Sequence, residues 1–185
     1  LYALYLKDEG DEMMSRVGEA PFSAVFVLQK GEMQAVLDSF SYVTGTPENN
    51  AFKDIRSVLV DAQKNYMNLV SNIKEGELEA VKAKAKQLED EMMAKVKAYI
   101  EANPNKLTTA KLLTDFQFGL DEKTQEAALA KADSVFMKFP GIKEIAEHLQ
   151  AMKKVAVGQK FTDFEMVDLK GDTHKLSDYV GKGNV

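Results

Sequence analysis

The stretch TPENNAFKDIRSVLVDAQKNYMNLVSNI, Thr46 to Ile73, decides how this chain is built. Thr46 is a good helix N-cap, Pro47 suits the first helical position, and Glu48 favours the positive end of the helix dipole. Phe52, Ile55, Leu59, Ala62, Tyr66, Leu69 and Ile73 then repeat at alternating spacings of three and four. That spacing places them on one narrow apolar seam. At ~1.5 Å per residue the helix is on the order of 40 Å long.

Lys74-Glu75-Gly76-Glu77 interrupts the seam, and a second one follows at Leu78, Val81, Ala85, Leu88, Met92, Val96 and Tyr99. Asn103-Pro104 ends it, since Pro cannot continue the hydrogen-bond ladder. Two seamed helices joined by a short Gly turn most simply form an antiparallel helical hairpin. Three shorter helices are expected after it: Leu107 to about Phe118, stopped by Gly119; Asp121, as N-cap, to about Ser134; and Ile142 to Met152, with Ile142, Ile145, Ala146 and Leu149 on one face.

Upstream of Thr46 the period is that of strands. Leu1 to Leu6 reads as a strand already under way. Phe22 to Leu28, Met33 to Leu37 and Phe40 to Val43 are short apolar runs separated by Gln29-Lys30-Gly31-Glu32 and Asp38-Ser39. Hairpins or a meander are expected there. Residues 1–46 carry three basic and seven acidic side chains, a net of −4, close to the whole-chain −5.

Composition excludes several classes of function. A net charge of −5 argues against a nucleic-acid or anionic-membrane surface as the main partner. The 185 residues contain no cysteine, so they hold no disulfide, no thiolate metal site and no cysteine nucleophile. Apolar runs such as Ala24 to Leu28 are far short of the ~20 residues of a membrane helix, and no signal peptide is expected at Leu1 to Glu12.

From Val155 the period changes again. Glu165 to Leu169 reads as a strand, Lys170-Gly171-Asp172 as a turn, Thr173 to Leu176 as the return strand, and Ser177 to Val180 as a helical turn. Val157-Gly158-Gln159-Lys160, Asp163-Phe164, Leu169-Lys170-Gly171, Leu176-Ser177-Asp178 and Gly181-Lys182 together resemble the opening of TlpA-like and AhpC/TSA-like thioredoxin-family domains. Thr162 departs from that pattern, where Pro is frequent. Ser41-Tyr42-Val43-Thr44-Gly45-Thr46-Pro47 and the long helices resemble the N-terminal extension of bacterial envelope thiol-disulfide oxidoreductases.

The expected fold is α+β. Residues 1–46 are the end of an antiparallel β domain, 47–154 a mainly helical domain built on the long hairpin, and 155–185 the first hairpin of a thioredoxin-like fold. The resemblance implies a longer parent, in the periplasm or cell envelope, with a Cys-x-x-Cys beyond Val185. It implies substrate proteins or other protein partners, with a homodimer as one expected state. This chain would be the non-catalytic part that positions, dimerises or docks substrate for the redox domain. The rival expectation is a helical-hairpin adaptor or ligand-binding protein with no redox role.

No catalytic, cofactor-binding or metal-binding residue is assigned, and no cofactor is expected. His174 reads as a surface residue in the last hairpin, and His148, four after Glu144, as a solvated helix-face pair. Asp8, Glu9, Asp11 and Glu12 lack the Gly and terminal Glu of a calcium loop. Glu89-Asp90-Glu91 point in different directions from one helix and read as a solvated face. Met92 belongs to the seam, whereas Met93 lies off it. Met13-Met14 and Met92-Met93 are alternatives for an adaptable binding surface. Gly181-Lys182-Gly183 lacks the spacing of a phosphate loop.

Overall fold

The computed structural model describes residues 1–5, 23–71, 73, 76 and 78–180. The expectations placed on Asp8 to Glu12, Met13-Met14, the Lys74-Glu75 and Glu77 parts of the helix–helix turn, and Gly181-Lys182-Gly183 lie outside them.

The described residues are mixed helix and strand. β1 (Tyr2–Tyr5) pairs antiparallel with β2 (Ser23–Phe26), β3 (Gln34–Val36) with β4 (Tyr42–Thr44), and β5 (Glu165–Val167) with β6 (Thr173–Lys175). Five helices lie between β4 and β5: α1 (Pro47–Ser71), α2 (Leu78–Ala102), α3 (Leu107–Asp115), α4 (Glu122–Leu129) and α5 (Ile142–Lys154). The chain divides into two compact units, 1–145 and 146–185, with the division inside α5.

In the first unit, α1 and α2 are 25 residues each and lie against one another after a six-residue connection, the antiparallel hairpin that the two seams predict. Their seams are buried only toward one end. Phe52 and Ile55 on α1, and Val96, Tyr99 and Ile100 on α2, join Val43, Ala110, Leu112, Leu113, Phe136, Ile142 and Ile145 in the core. Toward the turn, Tyr66, Ile73 and Leu78 are exposed.

The strands are fastened to α1 by polar side chains. Asn49 is 1% exposed and acts as a surrogate strand. Its Oδ1 accepts from Val27 N–H at 2.8 Å, and its Nδ2 donates to the Val27 carbonyl at 2.9 Å and to Thr46 Oγ1 at 2.8 Å. Of the hairpins or meander expected here, β3 and β4 form a hairpin, whereas β2 pairs with β1 rather than with β3. Arg56 Nη1 donates to the Ser41 carbonyl at 2.7 Å, and Lys53 stands over the Tyr42 ring at 4.9 Å. Gly45 between β4 and α1 has φ of +103°, and a Cβ there would collide with the Glu32 carbonyl, so only glycine fits.

Glu48 does more than sit at a dipole. It is buried, and its Oε1 accepts from both Thr108 N–H and Thr108 Oγ1 at 3.2 Å, while Oε2 accepts from Gln29 Nε2 at 3.4 Å. The N-cap of α3, Lys106, offers no side-chain cap. A carboxylate from 60 positions earlier therefore caps α3. The Tyr99 hydroxyl lies 2.9 Å from Thr108 Oγ1, and burial pushes its phenol up from the usual value.

Asp121 is the N-cap of α4, as its sequence position predicts: it accepts from Thr124 N–H at 2.8 Å and Thr124 Oγ1 at 2.9 Å. It also meets Lys97 Nζ of α2 at 2.9 Å. The Lys97 ammonium first, then the Thr124 N–H and hydroxyl, hold its carboxyl at about 2, below the usual 3.8. A lowered folded value stabilises the fold above the unfolded value, and the benefit disappears as the pH falls through about 2. Replacing Asp121 with Ala is expected to cost about 1 kcal/mol near neutral pH, mostly as a lost cap because the ion pair is exposed. In urea unfolding the gap between the two proteins should close as the pH is taken from about 4 toward about 2.

α3 and α4 are shorter than periodicity suggests. α3 stops at Asp115, and the following loop is held by Gln125, whose Nε2 donates to the Gln117 and Leu120 carbonyls at 2.9 Å. α4 ends at Leu129 rather than near Ser134. Asp133 Oδ1 instead accepts from Val135 and Phe136 N–H at 2.8 Å and starts a 3₁₀ turn, Phe136–Lys138. Asn105 locks this turn by donating to Asp133 Oδ2 and accepting from Asp133 N–H.

Candidate functional site

Among the described residues, two places gather side chains that could act on another molecule, one in each unit. In the first unit a groove of about 740 Å³ runs between α1 and α2. Leu59, Ala62 and Tyr66 line it from α1, Ala85 and Met92 from α2, and Phe116 from just beyond α3. Gln63, Lys82, Lys86 and Glu89 complete its lining. Its volume falls in the range of small-molecule sites, and its apolar floor with a few charged edges is the usual composition of a binding surface. Lys82 pairs with Glu79 at 2.9 Å and Lys86 with Asp90 at 2.6 Å, and the hydrogen bond that Lys86 donates to Asp90 raises its ammonium above the usual value. Glu89, Asp90 and Glu91 are exposed, and Asp90 and Glu91 are occupied by Lys86 and Gln87, as a solvated face requires. Met93 packs beside Gly119, where an added Cβ would sit 3.1 Å from its Cε, so the two neighbouring methionines serve different surroundings.

In the second unit the strand, turn, return strand and helical turn form where the sequence places them, with Met166 opposite His174 and a 3₁₀ turn at Leu176–Asp178. Asp163 accepts from Ser177 N–H at 2.9 Å and Ser177 Oγ at 2.7 Å, which lowers its carboxyl. Leu176 N–H donates to the Phe164 carbonyl, and Lys175 N–H to Asp178 Oδ2. Asp168 accepts from Asp172 and Lys170 N–H and is lowered by those bonds in that order.

His174 is more engaged than a surface residue need be. Its Nε2 lies 3.3 Å from Asp168 Oδ2 and its Nδ1 2.8 Å from the Tyr179 hydroxyl. A proton on Nε2 satisfies both: Nε2–H donates to Asp168 and Nδ1 accepts from Tyr179. The sequence signal for this cluster was the hairpin register, which brings position 174 back beside the turn that begins at 168. The three side chains are exposed to differing degrees and fasten the turn to the 3₁₀ segment. His148, Glu144 and Glu147 are exposed on α5.

Among the described residues no group of three or more His, Asp or Glu side chains is placed to hold a metal ion, and no helix is long and apolar enough to cross a membrane. No family model, curated protein or solved structure matches the chain significantly.

Proposed function

We propose that this chain is the non-catalytic front of a thioredoxin-like thiol-disulfide oxidoreductase of the bacterial envelope, where it positions, dimerises or docks substrate for a redox domain that follows. The observation that supports the reading best is the set of bonds in residues 163–178. Several of the residues that carry the resemblance also hold the hairpin: Asp163 binds Ser177, the Phe164 carbonyl binds Leu176, and Asp178 binds Lys175. The exposed Met166, Val167 and Leu169 are consistent with a sheet edge and face awaiting further strands. In the parent, a thiolate at a helix N-terminus would attack a substrate disulfide. The resulting mixed disulfide would be resolved by the second cysteine, which oxidises the dithiol and reduces the substrate.

The adaptor reading is favoured by a different observation, the apolar groove of the helical hairpin. Insulin reduction by the natural full-length polypeptide separates the two. The redox reading expects turnover that a cysteine-to-serine change abolishes and that the 185-residue chain lacks. A full-length protein without thiol activity would overturn it in favour of the adaptor.

A further inference from the structure

The groove between α1 and α2 is unfinished on one side, and we infer that it docks a single amphipathic helix of a partner protein, apolar on its seated face and acidic on the flank that meets Lys82 and Lys86. Continuity is the first support. Where the seam is buried, the chain covers it with its own elements: Phe52, Ile55, Val96 and Ile100 are buried together with Leu112 and Leu113 of α3, which packs against α2. Phe116, one residue past α3, still lines the groove. Farther along, Leu59, Ala62, Ala85 and Met92 are only half-buried and Tyr66 is 48% exposed. A helix seated there continues the cover that α3 begins and turns a helix pair into a three-helix bundle.

Shape and size narrow the occupant. Ala62 and Ala85 leave holes beside the larger Tyr66 and Met92, which suits knobs from an opposing helix. Ten residues line the groove, against roughly 20–30 a side in a standard protein–protein interface, so one helix fits better than a second whole copy. Charge sets the flank. Lys82 and Lys86 lie one turn apart on α2 and face the groove with Glu89 as the one lining acid. Their present partners Glu79 and Asp90 are exposed, and such pairs contribute little, so a docked carboxylate can replace them. Only α1, α2 and the end of α3 are needed, whether or not a redox domain follows.

The test uses the 185-residue chain and two labelled peptides of about 18 residues, roughly five helical turns, read by fluorescence anisotropy. One peptide has leucines at alternating spacings of three and four with glutamates between; the other has lysines in place of the glutamates. The glutamate peptide should bind on the order of tenfold more tightly than the lysine peptide. The double variant Lys82→Glu/Lys86→Glu, altered only at exposed positions, should reverse that order. Ala85→Trp should fill the groove and abolish binding of both peptides, with helix content checked by circular dichroism. If Ala85→Trp unfolds the hairpin, the double variant decides alone. Failure of the glutamate peptide to bind, or an order that the double variant does not reverse, overturns the inference. So does a dimer in sedimentation equilibrium that Ala85→Trp returns to monomer, because the occupant is then a second copy.

Discussion

Replacing Asn49 with Leu is expected to destabilise the first unit by about 3 kcal/mol. The expectation follows from what Asn49 satisfies. Val27 N–H and Val27 C=O are both bonded to its amide, and Val27 itself is buried, so no water stands ready to replace the lost partners. A buried backbone group left without a partner costs about 1–3 kcal/mol, and two are exposed to that loss here. Leu has a similar volume but offers neither donor nor acceptor, so the packing gain is small. Urea unfolding should show the lower midpoint, and amide exchange should accelerate at Val27 more than in α4. An unchanged midpoint would mean that the Asn49 bonds to Val27 add nothing to the hold between the β part and α1.

Phe136→Ala is expected to cost about 4 kcal/mol, through lost burial and the cavity left behind. Phe136 is 1% exposed and is among the largest fully buried side chains of the described residues. Its backbone cannot easily follow a collapse into the space. Asp133 Oδ1 holds the Phe136 N–H at 2.8 Å, and Asn105 in turn holds Asp133. The natural control lies close by in sequence: Phe118 is 97% exposed, and Phe118→Ala should change stability by less than about 0.5 kcal/mol. Thermal or urea unfolding of the two variants side by side checks both. Similar losses from the two substitutions would contradict the assignment of Phe136 to the core.

What was legible in the sequence was whatever depends on neighbours in the chain. The two seams announced α1 and α2, because periodicity fixes which side chains share a face. It cannot say what covers that face, and so Tyr66 and Leu78 read like Phe52 and Val96 although only the latter pair is buried. Asp121 was legible as a cap, since its partner Thr124 is three residues on. Its pairing with Lys97, 24 positions back, depends on how α2 and α4 meet. Glu48 shows the same division. Its place at the start of α1 was plain, but its service to α3 across 60 positions was not. His174 read as a solitary surface residue because its partners Asp168 and Tyr179 converge only once the hairpin turns. The strand runs before Thr46 read as hairpins or a meander, but nothing local reveals which runs pair, or that Asn49 will bond Val27 from 22 positions away.

The last hairpin is the hinge of the functional reading. Its local bonds follow from Asp163, Asp168, Ser177 and Asp178, all nearby in the chain, and so its conformation was legible. Under the proposed redox reading, its exposed Met166, Val167 and Leu169 would take the next strands of the thioredoxin-like sheet. Sequencing the natural transcript across the codon for Val185 is therefore the most direct test of the redox reading. An apolar strand is expected at once, followed within the next helix opening by a Cys-x-x-Cys pair. A stop codon there, or a continuation without that dithiol, would contradict it and leave a helical docking protein in its place.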